Sequence, residues 1–491
     1  MNFFALFIAL QVTQIKVLQT AAQCNLTPCE VYDMFSKAQR DEEHSSAAPC
    51  TNDIQFRQLD RRLRAIEQPV WTISYSHARW RQCTKNTCRC DAVHRSLNCW
   101  RAGLTSLTTD LIVPADLFTI DLGTNKLRTL HKTTFKGMRS LTELDMFDNH
   151  VEYLPPGIFD SLTNLRILRL QRNYLEEIDS ELFRSTKRLF HVDLSNNYLY
   201  TLPERLFTNN SYLETVDFSN NQIVYIPSDT FIGLNSLLIL DLSRNKIQRI
   251  ENGTFVLKHL QILKLSDNNI GNITENAFES LTLLETLLLD KNDLQTIPPN
   301  LFCNLKCLTF LDLSSNNILF LTGREFHKLV LLRNLDLKEN AISELPDDVF
   351  SRCLSLEKLD LSKNKLRFIN VTTFDGLHNL TSLILSDNQI HEIHFKTFAT
   401  LKNLTTLWVR LNEMKIWDYS PTCVSPWYLE GHFLKKLKFP ELCTGQWASM
   451  VNLAPRLPMQ QLMSLNVSIN KKPQESSEHN LEVTSVDENW H

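Results

Sequence analysis

Thirteen asparagines recur down the chain at nearly fixed intervals: Asn125, Asn149, Asn173, Asn197, Asn221, Asn245, Asn268, Asn292, Asn316, Asn340, Asn364, Asn388 and Asn412. Every step is 24 residues except the 23 between Asn245 and Asn268. Each asparagine closes the pattern LxxLxLxxNxL, as in Leu165, Leu168, Leu170, Asn173 and Leu175, or Leu332, Leu335, Leu337, Asn340 and Ile342. A chain that holds one register over so long a stretch builds one supersecondary unit again and again and stacks the copies.

Within the pattern the second and third leucines alternate with polar residues, and a period of two marks a short strand with one buried face. The asparagine follows the strand, where the chain turns out of the sheet. Its amide can satisfy backbone groups of that turn, and stacked copies would form a hydrogen-bonded ladder. A second spine keeps the same step: Phe135, Phe159, Phe183, Phe207, Phe231, Phe255, Phe278, Phe302, Phe326, Phe350, Phe374 and Phe398. These rings are expected to fill the convex half of the core. One unit cannot bury its own apolar face, so the units stack into a continuous parallel sheet. With strands about 4.8 Å apart, thirteen of them make an arc roughly 60 Å long.

These motifs are identified as leucine-rich repeats of the 24-residue extracellular class. From about Cys83 to Cys443 the chain resembles Slit-like, Toll-ectodomain-like, chaoptin-like and acid-labile-subunit-like proteins. The resemblance implies an α/β solenoid, a leucine-rich-repeat horseshoe with a concave parallel sheet and about 13 repeats over residues 117–422. It also implies a protein-binding scaffold without cofactor or metal.

The apolar run Phe3 to Leu10, followed by Ala21 and Ala22, reads as a signal peptide over residues 1–22, with a signal anchor as the alternative. Eight N-x-S/T sequons, at Asn25, Asn209, Asn252, Asn272, Asn370, Asn379, Asn403 and Asn466, fit a secreted glycoprotein. No later segment reaches the roughly 18 apolar residues of a membrane span. Residues 444–491 form a polar tail expected to be disordered. Net charge is −4, which gives no reason to expect nucleic acid as a partner.

Cys83, Cys88, Cys90 and Cys99 form C-x4-C-x-C-x8-C before the first repeat. The spacing resembles the N-terminal cysteine cap of extracellular leucine-rich-repeat proteins, assigned here to residues 83–116. The resemblance implies the pairs Cys83–Cys90 and Cys88–Cys99. A zinc site is the alternative for four clustered cysteines. Cys423 and Cys443 resemble the second half of a C-terminal cap, residues 423–443, whose first half is missing. Either they bond to each other or this region carries a deletion. Cys303 and Cys307 could pair, Cys353 sits in a buried apolar register, and Cys24, Cys29 and Cys50 leave an odd number.

Residues 23–82 stand outside the repeat. Phe56, Leu59, Leu63, Ile66 and Val70 have coiled-coil-like spacing, with Asn52 as a helix cap and Pro69 as the stop. This short amphipathic helix is expected to dock on the first repeats, with homodimerisation as the alternative. Arg57, Arg61, Arg62 and Arg64, with Arg79 and Arg81 nearer the cap, make the 52–101 segment basic. A sulfated glycosaminoglycan is one partner that such a segment would suit, against a plain solvated face.

Along the strands the central inward residue is Asp in eight repeats: Asp121, Asp145, Asp193, Asp217, Asp241, Asp312, Asp336 and Asp360. Such a column would suit a basic ligand, or even calcium, but L-D-L-S is the common form of this strand in the family, so the departures carry more information. Ile239, Ile262, Leu288 and Phe310 project from four adjacent repeats, with Asp241 and Asp312 at the rim and Lys264 between them. That strip is the candidate partner-binding site. Ile384 and Trp408 repeat the theme in the last two repeats. No phosphate loop, H-E-x-x-H or nucleophile-and-base motif occurs, and histidines such as His191 and His259 read as surface residues. The functional expectation is a secreted recognition protein for adhesion, matrix or guidance that binds an extracellular protein. A soluble innate-immune recognition or decoy protein is the alternative, and the ectodomain of an adhesion receptor is the third.

Overall fold

The computed structural model describes residues 53–75, 87–393, 395–398, 400–409 and 411–412. They comprise a helix α1 (Asp53–Glu67), a strand β1 (Thr72–Ser74) and a solenoid. Strands β2 (Arg89–Asp91) and β3 (Ser96–Asn98) form an antiparallel hairpin at the N-terminal end of the solenoid. A short strand β4 (Ile112–Pro114) lies outside the main sheet and pairs in parallel with β1. β5 (Thr119–Asp121) then begins the repeats, pairing in parallel with β3. One three-residue strand per repeat follows, ending at Thr406–Trp408, and the whole is a single 15-stranded sheet.

The two-residue alternation has the expected result. In the third repeat Leu168 is fully buried, while Ile167 and Arg169 face the hollow half-buried. On the opposite side all twelve phenylalanines are buried. Successive rings lie 5.9–6.4 Å apart from Phe302 to Phe398, so this part of the spine is a continuous aromatic column.

The asparagine ladder differs in one detail from amide-to-amide stacking: each side chain bonds to backbone. Asn173 Oδ1 accepts the Val151 N–H at 2.9 Å, and its Nδ2 donates to Met146 O at 2.9 Å and Leu170 O at 3.0 Å. Asn412, at the end of the series, still bonds to Ile390 N, Leu385 O and Val409 O. Each amide therefore ties its own turn to the turn of the repeat before it. The residue preceding every asparagine has φ between +52° and +59°, and none is glycine. A non-glycine residue in that region costs on the order of 1–3 kcal/mol, so the surrounding bonds must over-determine it.

The Cys88–Cys99 disulfide forms as the cap resemblance implies. Cys90 is also disulfide-bonded, and Cys83 lies outside the described residues. Cys303 and Cys307 do not pair: both thiols are free. Their turn is closed instead by Leu305 N–H to Phe302 O and Lys306 N–H to Asn304 O. Cys353 is fully buried, and burial pushes its thiol up to about 12. The signal-peptide segment, Cys24, Cys29, Cys50, Asn52, Arg79, Arg81, Cys423, Cys443 and the polar tail lie outside the described residues.

The extension docks on the first repeats, but not by the face its spacing points to. Arg61 is buried and forms a two-pronged pair with Glu176, with Glu152 3.9 Å away. Gln58 Nε2 donates to Glu177 at 2.6 Å. Leu59 is 39% exposed and Ile66 69%. Helix α1 thus attaches through its polar side. Arg64 pairs with Asp60 on the same helix, so two of the four helix arginines are already neutralised. Beyond the helix, Trp71 packs edge-on against Phe135, 6.0 Å between centroids, and its Nε1 donates to Thr134 O at 2.6 Å. That indole covers the first ring of the aromatic column.

Candidate protein-binding surface

The sheet register brings the apolar strip together. Ile239, Ile262, Thr286 and Phe310 are direct neighbours on successive strands, and Asp241, Lys264, Leu288 and Asp312 form the adjacent row. Ile239, Ile262, Leu288 and Phe310 are each half-buried, held upright by neighbours on both sides but open to the hollow. The strip is rigid because each strand is fixed at both ends, by a buried leucine and by the ladder asparagine.

Asp241 is not a free rim charge. It is buried, lies 3.0 Å from the Lys264 ammonium and accepts the Ser243 N–H. Asp312 is half-buried and accepts the Ser314 N–H at 2.9 Å, and burial pushes its carboxyl above the usual range. The same bond explains the aspartate column. All eight carboxylates accept the N–H of the residue two positions on, at 2.7–3.0 Å. The aspartate prepares the turn into the left-handed residue that follows, which is a local structural task.

Asp312, Asp336 and Asp360 stand side by side on neighbouring strands. Burial, reinforced by the carboxylates on both sides, pushes Asp336 up to about 6. Near the N-terminus Arg169 breaks the acidic row by pairing with Glu143 and Asp145. His191 is a half-buried strand residue of the hollow rather than a surface histidine, and burial lowers its pKa. Trp408 is half-buried on the last described strand. The described sequon asparagines, Asn209, Asn252, Asn272, Asn370, Asn379 and Asn403, are exposed, and none lies on an inward strand position of the main sheet. Asn25 and Asn466 fall outside the described residues.

The sequence reading missed Trp71, and it missed a row of stacked rings, half-buried His150 and exposed Tyr174 and Tyr198. Each of these follows a ladder asparagine in three consecutive repeats. That column was visible in the alignment of the repeats, one position beyond the strand.

The family model for the leucine rich repeat matches overlapping segments that together run from residue 95 to 390, more than half of the chain. The chain belongs to the leucine-rich-repeat family, whose members are typically protein-interaction scaffolds. No curated protein sequence matches it. Among solved structures it is similar to the Toll–Spatzle complex of Drosophila, with 25% identity and a TM-score of 0.58 over 64% of this chain. The chain spans 43% of that Toll structure's length. A leucine-rich-repeat protein of Leptospira interrogans is similar at 26% identity and a TM-score of 0.57, over 71% of this chain and 84% of that one. The leucine-rich-repeat domain of APL1B shares the fold, at 24% identity and a TM-score of 0.51, over 60% of this chain and 80% of that one. Among the described residues no helix is long and apolar enough to cross a membrane.

Proposed function

We propose that this chain is a secreted, glycosylated recognition protein without enzymatic activity, which binds an extracellular protein on the concave face of its sixth to ninth repeats. The observation that carries the reading is the in-register strip Ile239, Ile262 and Phe310, with Leu288 beside it. A patch of half-exposed apolar groups bordered by polar side chains is the usual form of a protein interface. The exposed sequons off the inward strand positions support it, since glycans there leave the hollow open.

The test is Phe310→Ala with Leu288→Ser in the full chain secreted from cultured cells. Neither side chain belongs to the buried column, so secretion and melting temperature are expected to stay near the parent's. An aromatic anchor that matters contributes about 2 kcal/mol or more, so partner binding should fall at least thirtyfold. Binding within about twofold of the parent would place the site elsewhere.

A second reading, a soluble immune-recognition or decoy protein, is favoured by the similarity to the Toll–Spatzle complex, a molecular hub in Drosophila development and innate immunity. Induction of the transcript by infection supports it. Steady expression in developing tissue supports adhesion or guidance.

A further inference from the structure

On the flank of the first five repeats runs an open groove of about 680 Å³. We propose that it binds an acidic oligosaccharide, at a site separate from the concave strip. Its floor is the ring row. His150, Tyr174 and Tyr198 stack with centroids 5.4 and 5.6 Å apart and planes 7° from parallel. The two tyrosines are 42% and 45% exposed. Stacking covers the ring faces and turns the edges and phenol hydroxyls toward the groove.

The wall comes from the left-handed residues before the asparagines, among them Asp148, Arg172, Asn196 and Asn220. Arg101 and Lys126 close the N-terminal end. The groove therefore offers amides and hydroxyls that both donate and accept, together with three cations against one carboxylate. The ion pairs of these repeats use Arg61, Arg169, Arg184 and Arg205 instead, while Arg101 lies over the Trp100 ring, 4.3 Å from its centroid. A cationic surplus in a chain of net charge −4 selects an acidic ligand.

The spacing separates sugar from peptide. Groups that repeat every 5.4–5.6 Å suit a polymer with the same step. A pyranose with its glycosidic oxygen spans about this length, so successive sugars would meet successive repeats. An extended peptide advances about 3.3 Å per residue and falls out of register. It would also seek pockets for alternate side chains, and the lining here is mostly polar. Asn220 Nδ2 donates to Asn196 Oδ1 and Asn196 Nδ2 to Ser195 Oγ, so sugar hydroxyls instead meet the remaining N–H and lone pair of each amide and the phenols.

The experiment is calorimetric titration of the glycosylated full chain with four probes: a hyaluronan hexasaccharide, a heparin hexasaccharide, a neutral chitin hexasaccharide and polyglutamate. At least one acidic sugar is expected to bind at least about tenfold tighter than both the chitin fragment and polyglutamate. The hyaluronan and heparin arms decide whether carboxylate or sulfate is read. Arg172→Gln with Tyr198→Ala, two exposed positions, should lower that affinity about tenfold or more with the melting temperature unchanged. Phe310→Ala with Leu288→Ser should bind the sugar as the parent does, which keeps this site distinct from the protein-binding strip. Three results would overturn the proposal: no acidic sugar binding, polyglutamate binding as tightly, or a groove variant within about twofold of the parent.

Discussion

In the second to fourth repeats the inward strand positions hold Glu143, Asp145, Ile167, Arg169, His191 and Asp193, and the flank is strapped by α1 through Arg61 and Glu176. In the sixth to ninth they hold Ile239, Ile262, Thr286 and Phe310 in one row and Asp241, Lys264, Leu288 and Asp312 in the other, and among the described residues no helix lies on the flank. The buried positions are the same in both stretches: leucine, phenylalanine and asparagine at fixed intervals. One template thus carries two chemistries. Residues that hold the solenoid together are shared by every repeat, and residues open to a ligand are those the template leaves free.

The sharpest way to break this comparison is to attack the shared part in both stretches. Asn316→Ala orphans Leu294 N–H and leaves Leu289 O and Leu313 O with one donor each, from Asn292 and Asn340; Asn173→Ala orphans Val151 N–H and leaves Met146 O and Leu170 O to Asn149 and Asn197. An unpaired buried polar group costs about 1–3 kcal/mol. The orphaned N–H, the two weakened carbonyls and the cavity left by the amide should together cost each variant roughly 3 kcal/mol in thermal or denaturant unfolding, and the two losses should match. A much smaller loss at Asn173 would mean that the strap compensates.

Next in size is the Cys88–Cys99 bond. Replacing both cysteines by alanine should lower stability by about 2–4 kcal/mol and reduce secretion. Hydrogen exchange should place the loosening in the first repeats and leave the sixth to ninth protected.

Arg61→Ala tests the strap alone. It strips the pairing from a partly exposed Glu176, so a cost of about 1–3 kcal/mol is expected, below that of a fully buried pair. Amide protection of α1 should fall while binding at the apolar strip stays unchanged.

The smallest effect concerns charge in the hollow. Asp336 is raised from its usual 3.8 to about 6 by burial and by its two carboxylate neighbours. The native state therefore holds this proton more tightly than the unfolded chain. The group's stabilisation is fully present below pH ~4 and is lost as pH rises through about 6. Asp336→Asn should raise the melting temperature at pH 7, by the equivalent of about 1 kcal/mol after allowing for solvent screening, and leave it unchanged near pH 4. No difference between the two pH values would show that Asp336 is charged at no cost.

The repeat register, the aromatic column and the ladder were legible because each recurs every 24 residues, and periodicity survives the drift of single residues. The strip at Ile239 to Phe310 was legible for the same reason, as departures from a known column. Trp71 was not, since its partner Phe135 lies 64 residues away and no local pattern joins them. The orientation of α1 was hidden by its own stripe. Leu59 and Ile66 pointed to an apolar dock, whereas two glutamates in the second and third repeats drew the arginine face inward. The groove escaped because its rings occupy a column outside the strands.

The ladder also gives the molecule a mechanical direction. Each amide reaches back to the preceding turn, so a pull on the C-terminal end withdraws a repeat together with the amide that had closed its neighbour. The neighbour is left with unpaired backbone and yields next. Under tension the solenoid should unzip one repeat at a time from that end, each event releasing about 80 Å of chain, 24 residues at full extension. At the far end the pairing of Arg61 with Glu176 and the Cys88–Cys99 staple should arrest the unzipping in the first few repeats. Pulled in this way, the described repeats would act as a ratcheted tether that yields repeat by repeat towards a latched first turn.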